Sequence, residues 1–237
     1  MIEPAPSASL RLLQRILETA PAGRVFTSQE AVVAGAELGF TPEHTYKLLT
    51  QLVDRSLLDR PRGRLYVMKP PFGGLMPVRP LVIAVHAVTP AAVSGDTALA
   101  HWGLLEQAPL HEEIVSTPAR IHWRGDVRSD GADRLWHFDG STIRFHHVGT
   151  SEMFGIVSVR LDNESVVPMF DRERCLIELQ SRPEPEAARW ADEILREHAS
   201  DIDRARLRQY AARLETGRPR PRTASRRGRS AGTPTPA

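Results

Sequence analysis

A short stretch of the chain concentrates side chains that could contact nucleic acid. Four of them offer hydrogen-bond donors and acceptors suited to base edges in the major groove of DNA: His44, Thr45, Lys47 and Gln51. Three cations follow, each suited to a phosphate or to the minor groove: Arg60, Arg62 and Arg64. Together with the hydroxyl of Thr41, these residues predict a surface that binds double-stranded DNA.

Two helices must position the first set of side chains. The first is expected to run from Ser28, a capping hydroxyl, to Gly39, where a residue without Cβ can end a helix in the left-handed conformation. The second is expected to begin at Thr41 as its N-cap. Pro42 then takes the first helical position, where its missing N–H costs nothing.

The spacing of residues within the second helix divides it into two faces. Residues that recur every three or four positions are expected to pack inward: Thr45, Tyr46, Leu49, Leu52 and Val53. The opposite face is expected to be free to read DNA, and it carries His44, Lys47, Gln51 and Asp54. Thr45 therefore belongs both to the packing set and to the set of candidate contacts.

A basic hairpin is predicted after the second helix, because two short apolar runs, at 57–58 and 65–68, surround a turn that carries the three arginines. Such a hairpin is a wing, which touches the phosphate backbone while the preceding helix enters the major groove. An apolar stripe over 10–17 predicts a helix before the pair, and Val25 to Thr27 predict a strand that pairs with the wing. We therefore predict a winged helix-turn-helix DNA-binding domain over residues 8–69.

Two readings of this stretch remain open. Units of two helices and a hairpin also serve as protein-protein interaction modules, and charges on an exposed helix face are often merely solvated. The concentration of arginines at the hairpin tip and the mixture of Lys, Gln, His and Thr on the helix favour DNA contact.

Length and composition indicate a globular chain of two domains. The 237 residues are 41% hydrophobic and 25% charged, and no apolar run approaches the roughly 20 residues that a membrane span needs. The first ten residues lack the basic and apolar regions of a signal peptide, so we expect a cytoplasmic, nucleoid-associated protein. The single cysteine, Cys175, lies among apolar residues and is expected to be a buried structural thiol.

The net charge of +2 hides an uneven distribution. Residues 1–69 carry a net charge of +2, residues 70–216 carry −6, and residues 217–237 carry six arginines and no acid. The basic ends fit a DNA-facing N-terminus, and the acidic middle argues against a central nucleic-acid groove.

The second half of the chain reads as a mixed domain over 80–216. A Pro- and Gly-rich linker at 70–79 marks the boundary, and the apolar run from Leu81 to Val88 favours a helix over a buried strand. Ser94 is expected to cap a further helix that Gly103 ends. Short runs rich in β-branched residues then predict a mainly antiparallel sheet of five or six strands: EEIVSTP, RIHWRG, RLWHF, STIRFHHV, GIVSVRL and SVVPM.

The sheet is expected to be followed by helices, and then by a disordered basic tail over 217–237. The fold class predicted for the whole chain is therefore α+β: an N-terminal winged helix-turn-helix and a C-terminal domain with a mainly antiparallel sheet and flanking helices. The arginines of the tail could add non-specific phosphate contacts.

The sequence offers little for catalysis, metals or cofactors. It contains no nucleophile elbow, phosphate-binding loop, dinucleotide fingerprint or zinc-protease helix. Adjacent His146 and His147 would point to opposite faces of a strand, so they are not expected to share a tetrahedral metal site with His137. We expect no enzyme, no cofactor and no metal; an enzyme on the strand-rich domain would need a deep pocket with convergent titratable groups.

Two segments of the second half carry a resemblance. SGDTALAHWGL at 94–104 and DRERCLIEL at 171–179, in this order after an RGRLYV strand, resemble the AbiEi family of bacterial antitoxins. The resemblance covers residues 10–214. The chain departs from the family pattern in its Arg/Pro tail and in an elongated, Asp-rich turn from Asp126 to Asp133.

The resemblance implies a two-domain antitoxin that represses its own operon. Its N-terminal winged helix would bind inverted repeats in its own promoter, as a possible dimer on DNA. Its C-terminal domain would support cooperative repression and counteract a nucleotidyltransferase-like toxin of a type IV toxin-antitoxin system. Two alternatives stay open: a solitary winged-helix transcriptional regulator, and a protein-interaction module without a toxin partner.

Overall fold

The computed structural model describes residues 7–20, 23–72, 74–106, 112–121, 127–130, 133–161 and 165–217. Within these residues, eight α-helices and ten strands form an α+β fold, as the sequence predicts. The strands belong to two sheets, one of three strands and one of seven. The tail beyond Gly217, expected to be disordered, and most of the RIHWRG segment lie outside the described residues.

The first unit contains three helices and the small sheet. Its elements in chain order are α1 (Ala8–Thr19), β1 (Val25–Thr27), α2 (Ser28–Glu37), α3 (Pro42–Asp54), β2 (Leu58–Arg62) and β3 (Leu65–Met68). The sheet is antiparallel throughout, with β3 between β1 and β2. The helix, strand, helix, helix and hairpin therefore occur in the order that the sequence predicts.

The caps of α2 and α3 explain where these helices begin. Thr41 accepts a hydrogen bond from the His44 N–H at 3.2 Å, with Pro42 at the first helical position, as predicted. The prediction that Ser28 caps α2 is wrong by one residue. Thr27 is the cap: its hydroxyl accepts from the Glu30 N–H at 3.2 Å, and the Glu30 carboxylate accepts from the Thr27 N–H at 2.6 Å. Such a reciprocal capping box satisfies two backbone donors, which a cap at Ser28 without an acid three residues later would not do.

The small sheet buries both of its faces, because successive side chains of a strand point to opposite sides. Phe26, Tyr66 and Met68 enter the core formed with α1, α2 and α3. Val25, Leu65 and Val67 lie on the other face and belong to the core of the second unit. The two units therefore pack through the sheet that carries the arginine turn.

The second unit is built on the seven-stranded sheet. Its elements in chain order are α4 (Pro80–Ala87), β4 (Ala92–Val93), α5 (Gly95–His101), β5 (Glu112–Thr117), β6 (Val127–Asp130), β7 (Asp133–Phe138), β8 (Ser141–His147), β9 (Ile156–Arg160), β10 (Val166–Phe170), α6 (Arg172–Gln180), α7 (Pro185–Glu197) and α8 (Arg204–Gly217). The strand order is β6-β7-β8-β5-β4-β10-β9. The sheet is mixed: β5–β8 and β4–β10 are parallel, and the other four neighbouring pairs are antiparallel.

Helix α4 confirms the helical reading of the apolar run after the linker. Residues Leu81 to Val85 are all buried, because α4 is enclosed between the small sheet and the large one. A helix that is buried on every side has no amphipathic pattern, which is why periodicity alone could not separate it from a strand.

Two strands depart from the sequence reading. Residues 127–130 form β6 and pair antiparallel with β7, although the segment was expected to belong to an Asp-rich turn. The short β4, Ala92–Val93, was also not predicted. Both segments owe their strand structure to backbone hydrogen bonds with longer neighbours, and neither has the alternating side-chain pattern that identifies a strand in a sequence.

Helices α2 and α3 approach each other closely at Gly35 and Thr45. Gly35 lies where a Cβ would fall 2.3 Å from the Thr45 hydroxyl oxygen, which is far inside van der Waals contact. Gly35→Ala, which would gain about 1 kcal/mol on an exposed helix, is expected to lower the free energy of unfolding by about 1–3 kcal/mol in a urea titration. The double variant Gly35→Ala/Thr45→Ala should lose less free energy of unfolding than the sum of the losses in the two single variants. A stabilising Gly35→Ala would contradict this packing.

Candidate functional site

Helix α3 presents one buried and one exposed face. The buried face consists of Thr45, Leu48, Leu49 and Leu52. The exposed face includes the predicted contacts His44, Lys47 and Gln51, and also Glu43, Tyr46, Thr50 and Asp54. Thr41, which caps the helix, is exposed as well. Three of the four predicted base-reading side chains are thus brought together on one accessible surface.

Thr45 must be removed from the set that could reach a base. It is 0% exposed, its hydroxyl donates to the Thr41 carbonyl at 3.1 Å, and its side chain fills the space beside Gly35. The physical reason is its spacing: position 45 lies three, four and seven residues before Leu48, Leu49 and Leu52 and so shares their face. Of its two predicted roles, the packing role is the one that the structure shows.

Tyr46 differs from the prediction in the opposite direction to Thr45. It was expected on the packing face, but 48% of the residue is exposed. Leu48, which the sequence reading left out, takes the buried position instead at 4% exposure. The adjacent pair Leu48 and Leu49 was the available signal, since two consecutive leucines centre the apolar face between them. An aromatic ring therefore stands at the edge of the exposed face.

The exposed face of α3 carries charges of both signs. Glu43 and Asp54 lie on it together with Lys47, so the helix alone is not a cationic surface. The His44 ring packs edge-on against Phe40, with 5.0 Å between ring centroids, and this contact orients the imidazole. The face offers hydrogen-bond donors and acceptors more than net positive charge.

The β2–β3 hairpin supplies the cations, with Arg60 and Arg62 on β2 and Arg64 in the turn. Arg60 and Arg64 are exposed, and Arg62 is half-buried. The Arg60 guanidinium lies 5.6 Å from the centroid of the Tyr66 ring, a cation-π contact that holds the stem of the side chain against β3. Gly63 takes a φ of +42°, a left-handed conformation that turns the chain between Arg62 and Arg64.

The base of the same hairpin has a local ion pair. Asp59 accepts from the Lys69 ammonium at 3.2 Å, so the one acid on β2 is matched by a neighbouring cation. The β2–β3 register shifts between Asp59 and Arg62, where Pro61 lacks the N–H that a regular ladder would use. The hairpin tip thus carries its arginines on an irregular, twisted ribbon.

The remaining candidate groups are buried or make local polar contacts. Cys175 is 0% exposed, and burial raises the pKa of its thiol well above the ordinary value, as expected of a structural cysteine. His146 Nδ1 lies 3.0 Å from Asp133, and His137 Nδ1 lies 3.0 Å from the Thr142 hydroxyl. Within the described ranges, no three His, Cys, Asp or Glu side chains gather as a metal site requires.

The acids at the start of α6 anchor α8. Asp171 caps α6 by accepting from the Arg174 N–H at 2.8 Å, and its other oxygen accepts from the Tyr210 hydroxyl at 2.9 Å. Glu173 accepts from the Asp203 N–H at 2.8 Å. Burial, the largest cause, raises the pKa of Asp171. Burial, together with the hydrogen bond to Asp171, raises the pKa of Tyr210 to about 12. This cluster fastens the two helices together.

None of the described helices is both long and apolar enough to span a membrane.

No protein-family model matches the sequence, and no curated protein matches it. Among solved structures, the chain is similar to the crystal structure of the RV2827C protein from Mycobacterium tuberculosis, with a TM-score of 0.50 and 16% sequence identity. The match covers 90% of this chain and 73% of the RV2827C chain. At this identity it indicates similarity of fold alone.

Proposed function

We propose that the first unit is a winged helix-turn-helix that binds double-stranded DNA, and that the protein represses its own operon from inverted repeats in the promoter. One observation carries the proposed DNA binding: the exposed polar face of α3 is followed directly by a hairpin whose tip holds Arg60, Arg62 and Arg64. The repression of its own operon rests on the resemblance to the AbiEi family. In this reading α3 is the recognition helix and the β2–β3 hairpin is the wing.

The dimensions of α3 suit the major groove. Its 13 residues span about 20 Å. The major groove, about 12 Å wide, can admit a helix, and the exposed side chains of α3 extend from one side of it. Lys47 suits a guanine edge and Gln51 an adenine edge, while His44 and Thr41 lie at the N-terminal end, where a helix also favours a phosphate. Tyr46 adds an apolar surface that could pack on a thymine methyl group or a sugar.

Charge distribution supports this orientation on DNA. The first unit is net positive, whereas residues 70–216 are net negative and would be repelled by phosphates. Within the first unit, the wing would supply most of the phosphate contacts, since α3 carries two acids, Glu43 and Asp54, against the one cation Lys47. Binding as a dimer on an inverted repeat follows from the symmetry of such a site.

We further propose that the protein acts as an antitoxin against a nucleotidyltransferase-like toxin. The two segments that carry the resemblance to the AbiEi family, at 94–104 and 171–179, are neighbours in the fold as α5 and α6. The Trp102 indole N–H donates to the Phe170 carbonyl at 2.8 Å, and the Arg172 guanidinium lies 5.0 Å from the centroid of the Trp102 ring. A pair of motifs that contact each other supports a shared role. A solitary regulator is the second candidate.

The wing assignment predicts the salt dependence of DNA binding. Replacing Arg60, Arg62 and Arg64 together with Ala should flatten the plot of log K against log salt by about two to three units, because each lost phosphate contact releases about one fewer counterion. Mobility-shift titrations at several salt concentrations measure the slope. A matched control replaces three exposed arginines of α7 and α8, Arg189, Arg196 and Arg204, and should leave the slope unchanged. An unchanged slope in the wing variant would reject the assignment.

The recognition-helix assignment predicts a loss of sequence preference. Lys47→Ala and Gln51→Ala should each weaken binding to the promoter duplex by about 1–3 kcal/mol and leave binding to a scrambled duplex nearly unchanged. Both residues are exposed, so the free energy of unfolding should change by less than about 0.5 kcal/mol, which urea titration checks. Equal losses on both duplexes would assign these side chains to phosphates.

The antitoxin proposal predicts a genetic result. Expression of a nucleotidyltransferase-like gene adjacent to this one should arrest growth, and co-expression of the full chain should restore it. A variant with both Lys47→Ala and Gln51→Ala separates the two activities, since it should restore growth while failing to repress the promoter. Arrest that the full chain does not relieve would favour the solitary regulator.

A further inference from the structure

An open groove of about 500 Å³ lies on the second unit, on the face of the large sheet that also carries α5 and α6. Its walls are the β8 residues around His146, the turn after α6 from Ser181 to Glu184, and Leu214 of α8. We call this the β8–α8 groove. Nothing in the wing or in α3 contributes to it, so it lies outside the proposed DNA-binding surface.

The arginines of the β8–α8 groove are already engaged by carboxylates. Arg144 donates to both Glu112 oxygens, at 2.5 and 3.1 Å, and to Asp133 at 3.4 Å. Arg182 donates to Asp96 at 2.7 Å. These contacts leave little positive charge for a ligand.

Arg174 and Glu178 also line the groove, one turn of α6 apart. Arg174 is 3% exposed, and its guanidinium lies between the rings of Phe154 and Phe170, at 5.0 and 4.6 Å from their centroids. Burial, the largest cause, raises the pKa of Glu178, and the charge of Arg174 acts in the opposite direction.

The rim that remains is acidic. Apart from Arg174 and Glu178, the groove and the carboxylates paired with its arginines hold five acids against the guanidiniums of Arg144 and Arg182: Asp96, Glu112, Asp133, Glu152 and Glu184. These five acids and two arginines sum to a charge of −3. Such a surface attracts a cationic segment and repels nucleic acid.

A cationic segment begins at the end of the same groove. Leu214 lines the groove, α8 ends at Gly217, and the rise from one to the other is about 4.5 Å of helix. Residues 217–237 contain six arginines and no acid. Attachment at this point gives the segment a local concentration in the millimolar range, so even weak ion pairs would be populated.

We propose that the arginine-rich segment 218–237 binds the β8–α8 groove in the free protein and leaves it for DNA phosphates when the first unit binds DNA. The acidic groove then restrains non-specific DNA binding, because phosphates must compete with carboxylates for the same arginines. The groove contact stands by itself, and the competition with DNA rests on the proposed function.

A spin label on the segment tests the groove contact in the full chain. Ser225→Cys carries a nitroxide, and Cys175, at 0% exposure, does not react with the label. Paramagnetic broadening of backbone amide signals should concentrate at 146–148 and 181–184 and disperse in high salt. Glu184→Lys in the labelled chain should reduce this broadening several-fold, whereas Glu193→Lys, an exposed α7 residue outside the groove, should not. Broadening that is even over the surface, or that survives Glu184→Lys, would overturn the proposal.

Addition of a DNA duplex tests the competition with DNA separately from the groove contact in the free protein. If the arginines transfer to phosphates, broadening at the groove should fall as DNA is added at low salt. Groove broadening that persists in DNA-bound protein would overturn the competition. If the chain does not bind DNA, the proposed function fails while the groove contact in the free protein is still measured.

Discussion

The alternation of side chains along β3 is the constraint on which the rest of the structure depends. Tyr66 and Met68 enter the helical core of the first unit, and Leu65 and Val67 enter the core of the second. A shift of one residue in the register of this strand would exchange the two sets and break both cores at once. The position of the arginine turn, at the beginning of β3, is therefore fixed by two independent packing interactions.

This arrangement has a consequence for function. A wing on a free hairpin could change its angle to the recognition helix, but here α4 supports the back of the sheet through contacts with β1 and β3. The close approach at Gly35 holds α3 against α2 in the same way. The proposed DNA-binding surface is thus held by rigid elements, and its candidate contacts belong to side chains that are accessible without rearrangement.

Local signals in the sequence predicted the first unit well, because its elements are short and their boundaries are encoded nearby. Thr41 and Pro42 specify the start of α3, and the apolar runs around the arginines specify a hairpin. The faces of α3 were harder, since Thr45 and Tyr46 differ by one position. Thr45 shares the buried face of Leu48, Leu49 and Leu52 and packs beside Gly35. Similarly, a capping box at Thr27 depends on the Glu30 side chain folding back, which spacing permits but does not require.

Long-range contacts account for what the sequence did not predict. Strands β4 and β6 exist because longer strands lie beside them, and the parallel pairing of β5 with β8 joins segments that are far apart in the chain. The β8–α8 groove likewise depends on β8, the end of α6 and α8 meeting in space. Its ion pairs join residues that no sequence motif connects, such as Asp96 with Arg182.

The central claim is that α3 and the arginine turn together contact duplex DNA. Chemical-shift mapping of the isotope-labelled full chain, titrated with a duplex from its own promoter, tests this claim most directly. The largest changes in backbone amide signals should fall at residues 41–51 and 60–65. In the seven-stranded sheet, changes should be small except near 146–148, where the arginine-rich segment is proposed to leave the groove. Changes confined to the second unit, at concentrations where a mobility shift shows binding, would contradict it.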